Sequence, residues 1–336
     1  MAHIRPFDWS DEDYQGLIDI HNELYPDDLD LPELLKHKDG ARDQNYMLER
    51  AVAEVDGRSV GTVSFGESMW TPIPGKFWLY VQVHPDHQKR GIGTALYDHT
   101  VETLAEKNPT ILDSFLREDK TAGLRFLKTR GYEQIMRGQN SRITLADFDP
   151  SKHADVVKRV SESGIRIIPL EELKGEDPDW RTKLYELDWV LSLDVPEVDE
   201  PVKREFDIYC KQTFDKPTFF PEGFFVALDG GEYVGVSMLE LNLANPTKLQ
   251  TDLTGVIRSH RRRGIATALK VHALSKAKTT EAQFVETDNE ENNPMYTLNV
   301  KLGFKPIPGW LHMRKDMRTD EERAEAEGAQ VGNEDQ

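Results

Sequence analysis

Two stretches of this chain repeat one another, and the repeat limits the possible fold more than any other feature. The first runs from the apolar alternation Leu79-Tyr-Val-Gln-Val83, through a proline-containing loop, to Gln88-Lys-Arg-Gly-Ile-Gly-Thr-Ala95 and Leu96. The second runs from Asp252-Leu-Thr-Gly-Val256 to Arg261-Arg-Arg-Gly-Ile-Ala-Thr-Ala268 and Leu269, with Gly91-Ile92 matching Gly264-Ile265 at a separation of 173 residues. Each copy reads as a strand, a basic glycine turn and a helix. Unpaired amides and the positive end of the dipole at such a helix N-terminus suit an anion the size of a phosphate. Three further markers recur in the same order: Ile4-Arg5 with Ile165-Arg166, Val60-Gly61 with Val234-Gly235, and Gly131-Tyr132 with Gly303-Phe304. A chain of 336 residues exceeds the usual single domain, so two domains are expected on length as well.

The spacing Gln88-x-x-Gly91-x-Gly93 behind a strand ending Val81-x-Val83 resembles the acetyl-CoA signature of the GCN5-related N-acetyltransferases. The duplication resembles the tandem members of that superfamily, which include mycothiol-synthase-like proteins, and the resemblance spans nearly the whole chain. It implies an α/β (α+β) architecture of two tandem domains, each a mixed, mostly antiparallel sheet flanked by helices. The expected division is 1–146, a helical connector over 147–163, a second domain over 164–318, and a disordered acidic tail over 319–336. The resemblance also implies the cosubstrate, acetyl-CoA. The backbone of Val81, Gln82 and Val83 would pair with its pantetheine arm, while the amides of Lys89, Arg90, Gly91, Ile92, Gly93 and Thr94 would hold its diphosphate. Thr254, Gly255, Val256, Arg262, Arg263, Gly264, Ile265, Ala266 and Thr267 are the matching set. Gln88 fits the first position of the motif, and Arg261 replaces it in the second copy. Gly91 and Gly93 are expected to permit close approach and positive φ.

The implied reaction is direct attack of an amine on the thioester, which requires loss of a proton from an ammonium and return of one to a thiolate. Family members use an Asn at the start of the last helix and a Tyr seven residues later. In the second half Asn292 fits the Asn, whereas Asn299 stands at the Tyr position and Tyr296, one helical turn earlier, is the substitute acid. In the first half these positions hold Lys120 and Leu127. Asp252 is a candidate base on the strand feeding the second turn, with Glu240 as a further candidate, and the first-half counterpart of Asp252 is Leu79. The second domain is therefore expected to turn over, and the first to bind CoA or to be degenerate. A non-catalytic CoA sensor or scaffold is the competing reading.

Other classes fit less well. No Walker loop is present, and a dinucleotide reading of Gly91-Ile-Gly fails because Leu96 and Ala266 occupy glycine positions. A net charge of −18 disfavours nucleic acid and acidic membranes and suits a cationic acceptor, a small-molecule or peptide amine. Against that background, the basic clusters at both turns point to polyanionic ligands. His84 and His87 lack a third ligand, so no metal is expected. Cys210 is the single cysteine, and no apolar leader or membrane-length run is seen, which leads to the expectation of a cytoplasmic protein, a monomer or homodimer.

Overall fold

The computed structural model describes residues 2–318. In chain order the elements are β1 (His3–Pro6), α1 (Asp11–Leu24), α2 (Pro32–Gly40), β2 (Leu48–Val55), β3 (Arg58–Glu67), β4 (Lys76–Val83), α3 (Ile92–Ala105), β5 (Ile111–Arg117), α4 (Thr121–Lys128) and β6 (Glu133–Thr144). They continue with α5 (Ala154–Glu162), β7 (Ile165–Pro169), α6 (Leu170–Glu176), α7 (Trp180–Ser192), α8 (Phe206–Thr213), β8 (Phe219–Asp229), β9 (Glu232–Leu241) and β10 (Lys248–Val256). The last are α9 (Ile265–Ala277), β11 (Phe284–Glu290), α10 (Pro294–Leu302), β12 (Lys305–Pro306) and β13 (Trp310–Asp316). The mixed, mostly antiparallel α/β architecture is as expected.

The elements form two compact units, and neither is a contiguous half. The first joins the chain up to Pro26 with Gln44–Met136 and the segment beginning at Leu311. The second takes Asp27–Asp43 and Arg137–Trp310. The linear division at 146 and 164 therefore differs from the observed one at four places, the first being Asp27–Asp43 in the second unit. Most of β6 belongs to the second unit, where it pairs antiparallel with β11 from Thr144↔Phe284 to Gly138↔Glu290. β13 lies beside β5 in the first unit. The supposed connector is a packed part of the second unit, since Val160 of α5 is buried in its core and Val156 and Val157 pack against it. The tail over 319–336 lies outside the described residues.

In the first unit the sheet order is β1-β2-β3-β4-β5-β13. Asp56-Gly57 turns the β2–β3 hairpin with both φ values positive, the conformation its sequence favours. Inward residues such as Val63, Phe65, Leu79, Leu96, Leu104 and Leu112 are almost wholly buried. Each such side chain contributes roughly 1.5–3 kcal/mol of transfer free energy. In the second unit the order is β6-β11-β10-β9-β8-β7, with α9 over one core and α7 and α8 over a second that includes Cys210. Burial pushes the Cys210 thiol up, which fits an inert packed residue rather than a nucleophile.

Both units share the feature that positions a ligand. β4 and β5 pair in parallel only from Lys76↔Ile111 to Leu79↔Ser114, and β10 and β11 only from Lys248↔Phe284 to Gln250↔Glu286. Beyond those points the strands part, and each V opens toward the helix that follows the glycine turn.

Two buried charges mark the frame. Asp113 on β5 accepts a two-pronged bond from Arg314 on β13, at 2.7 and 2.8 Å, and His312 Nε2 lies 3.1 Å away. Burial opposes its charge, but Arg314 and His312 more than offset this and hold the carboxyl below the usual aspartate range. Asp113→Asn is expected to cost roughly 3–5 kcal/mol by removing the buried carboxylate that Arg314 and His312 share. Because the folded value is depressed, the stabilisation is present above the ordinary aspartate range and lost as pH falls through the folded value. The wild-type advantage in a denaturant titration therefore narrows on acidification. Lys270 on α9 is the converse case, since its buried ammonium has the Phe304 ring 5.1 Å away and burial pushes it down to about 7. The unfolded chain then binds more protons between about pH 7 and about pH 10.4, so this residue makes stability rise with pH across that window. Lys270→Met should raise the melting temperature below about pH 7, with the gain fading in alkali.

Candidate active site

In the first unit the parted strands and the glycine turn enclose a cleft of about 560 Å³. It is lined by the expected Val81, Gln82, Val83, Gln88, Lys89, Gly91, Gly93 and Thr94. Arg90 is exposed on the same turn, and Ile92 is buried in the core, so Ile92 offers only its backbone. The β4–β5 ladder ends at Leu79, which leaves Val81 to Val83 as an open edge on this side. Extended ligands with amide groups satisfy such an edge.

The turn itself is set by three residues. Gln88 donates from Nε2 to the carbonyl of Val83 at 3.1 Å and ties the loop back to the strand end. Lys89 at φ 59° and Gly91 at φ 81° take left-handed conformations that aim successive amides outward. A Cβ on Gly91 would meet nothing within 4 Å, so this flank of the turn is open. Gly93 was expected to share the positive φ, and it does not. A Cβ there would make ordinary contacts of 3.5 Å with Val83 and 3.6 Å with Phe126, which explains why Ala266 serves in the second copy.

Four further residues contribute at this cleft. Arg130, just past α4, donates from Nη2 to Thr94 Oγ1 at 2.8 Å and packs its guanidinium 3.6 Å from the Phe126 ring centre. Tyr80 and Tyr25 join hydroxyls at 3.2 Å where the strands part. Lys120, at the family's Asn position, donates to the carbonyl of Leu24 at 2.6 Å and sits 4.9 Å over the Tyr25 ring. Only Lys120 had been singled out, as a departure; a loop arginine and two tyrosines distant in sequence have no local pattern.

The second unit repeats the turn's backbone with different surroundings. Arg262 at φ 64° and Gly264 at φ 85° match Lys89 and Gly91, and Arg261 Nε reaches the carbonyl of Val256 at 3.0 Å as Gln88 reaches Val83. Yet a Cβ on Gly264 would lie 3.1 Å from Val156 of α5, and one on Gly255 would lie 3.0 Å from Leu191 of α7. Thr254 spends its hydroxyl on Ser237 at 3.0 Å, Ile265 is buried, and Ala266 and Thr267 are half-buried. The arginines are engaged too: Arg258 and Arg261 pair with Asp194, and Arg263 lies 3.6 Å from Asp229, which also takes His260 at 3.1 Å.

The proposed acid–base groups are partly brought together. The ladder between β9 and β10 shifts register between Thr251 and Thr254, the stretch that holds Asp252. Lys216 links Asp252, 3.4 Å away, to Glu240, with which it makes a close ion pair. Thr218 donates to Glu240 at 3.3 Å. Burial and the neighbouring Asp252 push the Glu240 carboxyl up to about 7. Burial opposes ionisation of Asp252, but Lys216 outweighs it and keeps that carboxyl low. Tyr296 is half-buried on α10, and Asn292 turns its amide to Glu290 at 2.8 Å, so no described contact ties either to the pair of acids. Asn299 is fully buried and donates to Asn289 at 2.7 Å. Among the described residues, no group of three or more His, Cys, Asp or Glu could hold a metal ion, and no helix is long and apolar enough to cross a membrane.

Comparisons with known proteins bear on both units. The model of the acetyltransferase (GNAT) domain matches residues 48–134, and that of the acetyltransferase (GNAT) family matches residues 183–304. No curated protein sequence matches. Among solved structures, a tandem GNAT protein from the clavulanic acid biosynthesis pathway superposes with a TM-score of 0.72 at 19% identity, covering 95% of this chain and 100% of that one. A GCN5-related N-acetyltransferase from Sphaerobacter thermophilus gives 0.65 at 19% identity, covering 94% and 96%. At these identities the likeness is one of fold. With a family match on each half and a tandem fold along nearly its full length, the chain belongs to the GCN5-related N-acetyltransferase superfamily as a two-domain member.

Proposed function

We propose that the protein transfers an acyl group from a coenzyme A thioester to an amine, and that the first unit holds the carrier. The carrying observation is the first cleft, where the strand edge at Val81–Val83, beyond the end of the parallel ladder, runs into an open glycine turn. Lys89 and Arg90 beside that turn have no acidic partner among the described residues. Arg130 adds a third cation there. The backbone of Val81 to Val83 would bind the amide-bearing arm, and the amides from Lys89 to Thr94 the diphosphate. When bound, the carrier supplies an activated acyl carbon. The Tyr80–Tyr25 hydroxyl pair stands where the strands part and can hold a proton there. A net charge of −18 favours a cationic acceptor, a small-molecule or peptide amine. The test is a charge reversal at each turn. Lys89→Glu with Arg90→Glu should weaken CoA binding about tenfold or more by calorimetry, from roughly 1.4 kcal/mol or more of lost attraction. Arg262→Glu should change it less than about twofold. The opposite ranking would overturn the assignment.

A second reading, with turnover in the second unit, is favoured by Glu240, whose carboxyl sits near neutrality beside Asp252. A base pushed up to about 7 is matched to deprotonating an ammonium near neutral pH. On this reading, thiol release from acetyl-CoA across an amine panel rises through a limb near pH 7, and Glu240→Gln abolishes that limb. If the variant keeps the wild-type pH profile, Glu240 has no such role. Acetyl-CoA binding without thiol release for any amine would instead support a CoA sensor.

A further inference from the structure

We propose that Asp194 is the residue that decides which turn accepts a diphosphate, by occupying the second turn's arginines with an internal carboxylate. The inference rests on the reading that the first turn holds the carrier, and it adds that the second turn is closed in the protein as it stands.

The two turns are nearly the same object in their backbones. Each follows a short 3₁₀ turn, Pro85–His87 or Arg258–His260, and each passes through a left-handed residue two positions before a left-handed glycine. What differs is the charge around them. Asp194 lies two residues past the end of α7 and takes Arg258 in a fork, at 2.9 Å from Nε and 2.6 Å from Nη2. Its other oxygen takes Arg261, whose Nε is fixed on the carbonyl of Val256. One carboxylate thus joins the α7–α8 segment to the end of β10.

Exposure shows the order of the layers. The Asp194 side chain is only 16% exposed, beneath Arg258 at 77% and Arg261 at 42%. Arg258 foremost, with Arg261, holds its carboxyl below the usual aspartate range, so it stays ionised. Asp229 does the same for His260 and Arg263. Of the basic residues on this turn, only Arg262 has no described ion pair. In the first copy the positions of Arg258 and Arg261 hold Pro85 and Gln88, so the tie to the strand end is kept without a charge for a carboxylate to capture.

A phosphate approaching the second turn therefore meets a fixed negative charge at close range. It also finds two arginines whose donors are already directed elsewhere. Displacing Asp194 would leave a largely sunken carboxylate without its partners, which costs more than an exposed pair returns. Asn keeps the size of the side chain and one acceptor oxygen for the arginines, so Asp194→Asn should still fold, and a melting curve recorded beside each titration checks this. Its effect falls on ligand selection instead.

The experiment is titration calorimetry of CoA into the full chain. Wild type should bind one equivalent and Asp194→Asn two. Adding Lys89→Glu and Arg90→Glu to Asp194→Asn should return the count to one, now at the second turn. A single equivalent for Asp194→Asn, or two for wild type, overturns the proposal. If wild type binds none and Asp194→Asn binds one, the latch stands and the first-turn reading falls. If both bind none, both fall.

Discussion

The early end of a parallel strand pair is the constraint on which the rest of the structure depends. In each unit two central strands share hydrogen bonds for three or four residues and then separate, although both continue. Backbone donors and acceptors left along such an edge need partners, and inside a protein they are costly without them. The separation also places the N-terminus of the following helix at the head of the gap, so its free amides face the same space. A ladder that stayed paired to its end would seal the gap and leave the glycine turn as surface decoration. The flanking hairpins and the helices over both faces serve to hold these strands apart at a fixed opening.

The two turns share one backbone plan and have diverged in what surrounds them. The φ values of the two turns agree within a few degrees, and the tie from motif position one to the strand end survives the change from Gln88 to Arg261. Around the first turn the cations face solvent, and a cleft stands beside it. Around the second, valines from α5, a leucine from α7 and two aspartates fill the equivalent surroundings. The titratable pair Glu240 and Asp252, bridged by Lys216, has no equivalent in the first unit, where Leu79 is buried in the core. The two turns thus differ in the charges and side chains around them, and the acidic pair belongs to the second unit.

What could be read from the sequence was local. The doubled turn and the Asp56-Gly57 hairpin are both set by residues within a few positions of each other. The placement of β13 was not readable, because its partner Asp113 is 201 residues from Arg314 and nothing in a run of seven residues names a distant neighbour. The capture of Arg258 and Arg261 by Asp194 was hidden for the same reason, at separations of 64 and 67. Basic clusters read as free charge in a sequence, whereas their availability is decided by which acids the fold brings near. Gly93 was misjudged from its motif, since a glycine can be favoured for room without adopting a left-handed conformation.

The position of β13 in the first sheet carries a consequence for how the molecule comes into being. Its hydrogen-bonded neighbour β5 and its counter-ion Asp113 are translated some two hundred residues earlier, so the first unit waits, with a buried carboxylate uncompensated and one flank of its sheet bare, until almost all of the second has left the ribosome. Contacts of such long sequence separation are slow to close. Vectorial synthesis therefore offers this protein no head start at its N-terminus: the half that emerges first is finished last.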